Sequence, residues 1–207
     1  TKPLLKKIDA VITLNNEDSS FFKKYHNNVH MIPHWTRFKN ISLCGIIKNP
    51  KMILFVGRID ESNKGFEHIY QLEEGKYEIH CVGVGTVRKR SDIIHHTSVS
   101  DDELLMLYQQ SSLVVIPSRY EAFSYVALEA LSCGTTIVVS DRVRIVDHIT
   151  ACKGYKIFEY KNYSDFRNKV ASTIGTQVDV NNIVKKFDEN IIKQKYKSLF
   201  ISLAANN

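Results

Sequence analysis

Two pairs of residues could do chemistry. Arg58 and Lys64 lie in the stretch "FVGRIDESNKGFEHI", and Glu121 and Glu129 bracket "EAFSYVALE" further along. The cations suit an anionic ligand. A strand ends at Gly57 and Gly65 opens the next helical stretch, so both cations stand near a helix N-terminus. Its free N–H groups and dipole add to their charge. Arg58 is shaped to grip a phosphate through two parallel hydrogen bonds, while Lys64 acts as a mobile point charge. Taken alone, the same stretch also reads as two solvated cations beside Asp60 and Glu61.

The carboxylates occupy different settings. Glu121 stands in a loop ahead of a helix, and Ala122, Phe123 and Ser124 follow it. Their N–H groups fall among the unpaired donors of a first helical turn, and the small side chains permit close approach of a ligand. Glu129 sits about a turn and a half into a helix that is otherwise apolar. A buried carboxylate is expensive unless it is paired or hydrogen-bonded. A vicinal diol, as on a ribose, is one partner, since both hydroxyls donate to one carboxylate. A lysine or arginine from elsewhere in the chain is the other.

Other candidates are weaker. Gly83 and Gly85 in "VGVG" follow a strand, but Arg88 stands where a dinucleotide fingerprint needs its third glycine, leaving only a tight turn that admits a ligand. His80, His95 and His96 lie on strand-like stretches without metal spacing. Cys44, Cys81, Cys133 and Cys152 form no C-x-x-C pair, so neither a disulfide framework nor a zinc site is expected, and free thiols in a reducing compartment follow.

The elements that must position these residues alternate regularly. Apolar runs of strand length occur at 9–14, 29–33, 51–57, 77–84, 92–99, 113–118, 135–141 and 155–160, with helical patterns at 17–26, 65–74, 101–111, 124–133, 142–150 and 163–174. Continuous apolar strands between amphipathic helices imply an α/β fold, a parallel Rossmann-like sheet with helices on both faces. Such sheets bind ligands at the carboxyl ends of their strands, in the loops named above. Cys133-Gly134 reads as a helix end with a left-handed cap. The chain closes on one long amphipathic helix or a helix pair, whose Lys185, Lys186, Lys193, Lys195 and Lys197 read as a solvated face.

With 207 residues, 43% of them hydrophobic, and a net charge of +6, the chain suits a compact domain with an anionic partner such as a nucleotide or an acidic membrane surface. It lacks the charge density of an obligate nucleic-acid binder. No run nears the roughly 18 apolar residues of a membrane span. It opens on Thr1, and we read it as a piece of something longer.

The stretches "FVGRID", "KG", "VGVG" and "TSVSDDELLMLYQQSSLVVIPSRYEAFSYVALEALSCGTTIVVSD" together resemble the retaining GT-B glycosyltransferases of family 4, over about Lys51 to His148. The likeness combines the R-x5-K-G loop, the two glutamates separated by seven residues and the C-G-T turn, in the family's order. The resemblance implies a transferase moving a hexose or N-acetylhexosamine from a nucleotide diphosphate sugar to a glycan or lipid-linked acceptor. It implies no cofactor, and the absence of a D-x-D pair agrees with metal independence. Residues 1–35 would be the tail of an acceptor-side N-terminal domain and hinge. Residues 36–207 would be the donor domain with a C-terminal crossover helix.

Position by position, the resemblance assigns the donor diphosphate to Arg58 and Lys64 beside Gly57, the transferred sugar to Glu121, and sugar and phosphate to Ala122 and the amides of Phe123 and Ser124. The ribose goes to Glu129, and the base to the loop at Val99, with Asp101 assisting. Catalysis would rest on Glu121, Arg58 and Lys64. The likeness places the protein in the cytoplasm, at the inner face of a membrane with peripheral contact, and the missing first domain becomes a partner. Two stretches depart from the family. Its E-G-F-G is here E-A-F-S, where the Ser124 hydroxyl would alter sugar choice, and its "IPNGVD" connector is here "IPHWTRF", Ile32 to Phe38. Rival readings are a glycoside hydrolase using Glu121 and Glu129, a non-catalytic nucleotide-sugar-binding domain, and a nucleotide-sugar epimerase of GT-B architecture.

Overall fold

The computed structural model describes residues 2–5, 7–38, 41 and 45–205. Helix α1 (Lys2–Leu5), strand β1 (Val11–Thr13), helix α2 (Asn16–Lys23) and strand β2 (Val29–Met31) come first, with β1 and β2 paired in parallel. Six further strands follow: β3 (Asn49–Val56), β4 (Glu78–Val82), β5 (Ile93–His96), β6 (Ser111–Ile116), β7 (Thr136–Ser140) and β8 (Tyr155–Phe158). Helices α3 (Asp101–Gln110), α4 (Tyr125–Ser132), α5 (Val146–Ile149) and α6 (Tyr163–Thr173) fall between or after them, and α7 (Val180–Lys186) and α8 (Glu189–Ala204) close the chain. The six strands form one sheet in the order β5-β4-β3-β6-β7-β8, every pair parallel. Chain direction across the sheet reverses between β3 and β6, which makes their carboxyl ends the topological switch point.

The apolar runs form strands because both faces of the sheet are covered. Along β3, Met52 and Leu54 pack with Val114, Leu128, Leu131 and Ile137 on one face. Ile53 and Phe55 pack with Val115, Val138, Phe158 and Phe166 on the other. Every residue of β6 and β7 is buried, so the period-two alternation that marks a half-exposed strand is absent. Gly134 ends α4 in the left-handed region at φ +72°. The closing segment is a helix pair, on which the five named lysines are all exposed. Ile192 and Leu199 of α8 pack on Ile32 beside β2.

Two expected helices are corrected. The stretch 65–74 forms a 3-10 helix over Phe66–Gln71, preceded by a 3-10 turn over Ser62–Lys64. Gly65 sits between them at φ +68°, and a Cβ there would lie 2.0 Å from the Pro117 carbonyl oxygen. This close approach to the end of β6 breaks the stretch in two. The stretch 142–150 is helical only over α5, because Val143 bridges Glu121 in an extended conformation.

Cys81, Cys133 and Cys152 are free and buried, and burial pushes the Cys81 and Cys133 thiols up to about 12. Cys44 lies outside the described residues. His80 and His96 contact each other across β4 and β5 (Nδ1 to Nε2, 3.0 Å), and the His95 ring contacts the Gly83 carbonyl at 2.8 Å.

Candidate functional site

The loop after β3 carries Gly57, Arg58 and Lys64, and the loop after β6 carries Glu121 to Ser124. Backbone contacts fasten the two loops side by side: Arg119 N–H donates to the Asn63 carbonyl at 2.7 Å, and the Asn63 side-chain amide donates to the Tyr120 carbonyl at 3.0 Å. Glu121 is fixed from the opposite side. Its N–H donates to the Arg142 carbonyl at 3.1 Å and its carbonyl accepts from Arg144 N–H at 2.9 Å.

These ties bring Lys64 Nζ to 2.9 Å from Glu121 Oε1, which also accepts from the Ser118 hydroxyl at 2.7 Å. The lysine stem runs over Gly57, within 3.5 Å of where a Cβ would stand. Arg58 is exposed and has no charged partner among the described residues. The switch point therefore holds one cation neutralised by a carboxylate and one presented to solvent. Gly83 and Gly85 support this arrangement from behind. A Cβ at Gly83 would meet the Gly57 carbonyl oxygen at 2.1 Å, and one at Gly85 would come within 2.9 Å of Ile59 and Asp60. These glycines admit a neighbouring loop of the same chain, a reason for glycine that the sequence reading did not include.

A cleft of about 340 Å³ lies beside Glu121, lined by Lys64, Ala122, Phe123, Tyr125 and His34 among others. His34 stacks on Tyr125 at 4.8 Å and meets Phe123 edge-on at 5.3 Å. Burial holds its imidazole below the ordinary range. The sequence offered one sign of His34, its place in the "IPHWTRF" departure. Ser124 is the N-cap of α4, and its hydroxyl accepts from Ala127 N–H at 3.3 Å. Ser124 is 2% exposed, and its hydroxyl oxygen is engaged in capping the helix.

Glu129 is 7% exposed and paired. Arg37 Nε donates to Oε1 at 2.7 Å, and the fully buried Tyr108 hydroxyl donates to Oε2 at 2.9 Å. Arg37 also donates through Nη1 to Asp101, the first residue of α3, at 2.8 Å. Of the two partners left open by the sequence, the structure shows the arginine. α3 itself starts from Ser100 and Glu103 in a reciprocal capping box. Val99, just before the cap, packs against the core.

The β1–α2 segment seals one flank. Asn15 caps α2 and donates to the Ala122 carbonyl at 3.0 Å, Asn16 N–H donates to Asp147 at 2.8 Å, and the buried His148 ring contacts the Leu14 carbonyl at 2.6 Å. Arg144 pairs with Glu17 alongside.

Fold and site together define a doubly wound α/β protein with the Arg58 and Lys64 loop at its switch point. The chain belongs to the glycosyl transferases group 1 family, whose model matches residues 39–197. It is 37% identical over 112 residues to an uncharacterized glycosyltransferase of Methanocaldococcus jannaschii, covering 46% of this chain and 28% of that protein. It is 30% identical over 123 residues to the N,N'-diacetylbacillosaminyl-diphospho-undecaprenol alpha-1,3-N-acetylgalactosaminyltransferase of Campylobacter jejuni, covering 56% of this chain and 32% of that one. Among solved structures, sucrose-phosphate synthase from Thermosynechococcus elongatus superposes with a TM-score of 0.76 at 19% identity, over 100% of this chain and 61% of the other. The chain thus spans about a third of the length of these two curated relatives.

Proposed function

We propose that the chain is the donor-binding portion of a retaining, metal-independent glycosyltransferase of the GT-B type, family 4. It would transfer a hexose or N-acetylhexosamine from a nucleotide diphosphate sugar to a glycan or lipid-linked acceptor. In this reading residues 1–35 end an acceptor-side domain and residues 36–207 form the donor domain. The observation that carries it is the Lys64–Glu121 contact beside an exposed Arg58 at the switch point.

Arg58 and Lys64 hold the donor diphosphate. The bond between the anomeric carbon and the β-phosphate oxygen breaks and the acceptor hydroxyl oxygen bonds to that carbon. The hydroxyl proton passes to the leaving phosphate, so a nucleoside diphosphate departs. Charge that develops on this phosphate meets the two cations and the first-turn N–H groups of α4, already fixed in place, so the chain's own groups supply the stabilisation. Glu121, released by Lys64 when the diphosphate arrives, contacts the sugar. Glu129 takes the ribose diol in place of Arg37, while Tyr108 keeps the second oxygen. Val99 and Asp101 border the base. Glu129 is engaged by Arg37 and Tyr108, away from the residues that line the cleft beside Glu121, which favours a transferase over a hydrolase.

The Campylobacter relative's name includes a diphospho-undecaprenol, which supports a lipid-linked acceptor; the cytoplasmic face of a membrane is part of the proposal. No described helix is long and apolar enough to cross one. The test is a thermal-shift panel of nucleoside diphosphates and their sugars. A bound ligand at 100 times its Kd should add about 2.7 kcal/mol, or roughly 5–11 °C for a chain of this size. No response to any of them would overturn the proposal.

A further inference from the structure

A second group of cations lies on the other side of the β6–α4 loop. Arg119 follows β6, Arg142 follows β7 and Lys161 follows β8, and all three line one cleft of about 710 Å³ together with Asn63, Tyr120 and Tyr160. No carboxylate lines this cleft. The carboxylate paired with Arg142 is Asp141, at 3.5 Å and with both side chains about half exposed, a geometry that neutralises little charge. Neither Arg119 nor Lys161 has an ion pair among the described residues.

The backbone gives an independent sign. Lys161 is the one non-glycine at positive φ (+68°) among the described residues. L side chains rarely adopt that conformation, and where one does, the position is worth a functional explanation. The turn is closed by Asn162 N–H donating to the Glu159 carbonyl at 2.9 Å. Glycine would fit it without strain, so lysine is held there for its side chain. Two planar guanidinium forks and an ammonium around a pocket lined by no described carboxylate match the oxygens of a phosphoryl group.

We propose that Arg119, Arg142 and Lys161 form a second anion site, separate from Arg58 and Lys64, which takes a phosphate monoester or diphosphate group borne by a soluble molecule or a lipid. This assignment does not depend on the donor reading. The two sites share a wall: Asn63 precedes Lys64, Tyr120 precedes Glu121, and Asn63 is hydrogen-bonded to both Arg119 and Tyr120.

The experiment is calorimetric titration of the 207-residue chain with inorganic pyrophosphate, with circular dichroism to confirm folding of each variant. Wild type should show two classes of binding. Arg119→Ala/Arg142→Ala should weaken one class at least about tenfold, the loss of one charge-assisted contact. Lys161→Gly should weaken the same class while relieving the backbone, which keeps the test valid should the double variant fold poorly. Arg58→Ala/Lys64→Ala should remove only the other class. Lys185→Ala/Lys186→Ala, which deletes exposed charge elsewhere, should change neither. A parallel arm measures sedimentation with phosphatidylcholine vesicles containing phosphatidic acid. Loss confined to that arm assigns the phosphate to a lipid, and loss with pyrophosphate assigns it to a soluble group. If Arg119→Ala/Arg142→Ala and Lys161→Gly weaken neither probe more than the Lys185/Lys186 control does, the second site does not exist. If Arg58→Ala/Lys64→Ala has no effect, the donor reading fails and this one stands.

Discussion

The Arg37–Glu129 pair predicts unequal costs for removing its two halves. Arg37→Ala leaves the Glu129 carboxylate, whose side chain is 9% exposed, with the Tyr108 hydroxyl as its remaining described partner. Stranding a buried charge costs about 3–5 kcal/mol, and the retained Tyr108 contact places this case at about 3 kcal/mol, or roughly 6–12 °C in Tm. Glu129→Gln strands much less. The Arg37 side chain is 45% exposed and keeps Asp101 at 2.8 Å, and Tyr108 still donates to the amide oxygen. The loss is the difference between a charge-assisted and a neutral hydrogen bond, about 1–2 kcal/mol. The double variant removes the stranded charge, so adding Glu129→Gln to Arg37→Ala should raise Tm above that of Arg37→Ala alone. Urea unfolding of the four proteins measures all three quantities. A double variant less stable than Arg37→Ala, or losses that simply add, would show that Glu129 is not held by Arg37 in solution. Saturating nucleoside diphosphate should stabilise Arg37→Ala more than wild type, since the ribose then meets a carboxylate with a free oxygen.

Further expectations are independent of that pair. Arg58→Ala and Lys64→Ala should each weaken nucleoside diphosphate binding by about 1.5–3 kcal/mol while leaving the free nucleoside almost unaffected; equal losses for both ligands in calorimetry would move these residues away from the phosphates. Lys48→Met should cost ~1.5–3 kcal/mol, because Lys48 Nζ, which burial lowers to about 8, donates to the Gln109 and Ser111 carbonyls and to the Thr135 hydroxyl at 2.6–3.0 Å; an unchanged urea midpoint would contradict this. Stability should fall as pH drops below about 6.5. His68 and His148 are buried, burial holds both below the usual imidazole range, and the unfolded chain binds protons that the folded chain refuses. The slope is at most about 1.4 kcal/mol per pH unit per histidine, it ends once the folded rings are protonated, and a Tm constant from about pH 7.5 to about 5 would refute it. Lastly, residues 1–207 should bind nucleoside diphosphate without transferring sugar, since the chain covers 28% and 32% of two curated relatives; robust transfer by this chain alone would disprove that.

The strands were legible because a parallel sheet covered on both faces demands unbroken apolar runs. "LVVIPS" and "TTIVVSD" could serve no other element so well. Features set by distant contacts were not legible. The stretch 65–74 has a helical pattern, and what splits it is Pro117 against Gly65. The stretch 142–150 loses its first turn to a bridge between Val143 and Glu121. Lys64 and Glu121 could be singled out from type and spacing, but not their contact across 57 positions. Arg37 is 92 positions from Glu129 and one of 28 lysines and arginines, so no periodicity could single it out. The clue was the cation in "IPHWTRF", a connector that already departed from its family. At Ser124 the N-cap role lay in the sequence unread, a serine just ahead of an apolar helical run.

The ties between the β1–α2 segment, the loop after β6 and helix α5 have a mechanical consequence. Asn15 holds the carbonyl of Ala122, Asn16 holds Asp147, and His148 holds Leu14. These bonds join the segment to that loop and to α5, whereas among the described residues β1 pairs with β2 and with no strand of the six-stranded sheet. A load applied near Val11 is therefore borne by the loop next to Glu121 and by α5 before it reaches the sheet. In an optical-tweezers pull from that end, the first rip would unseat the glutamate while the sheet still stood.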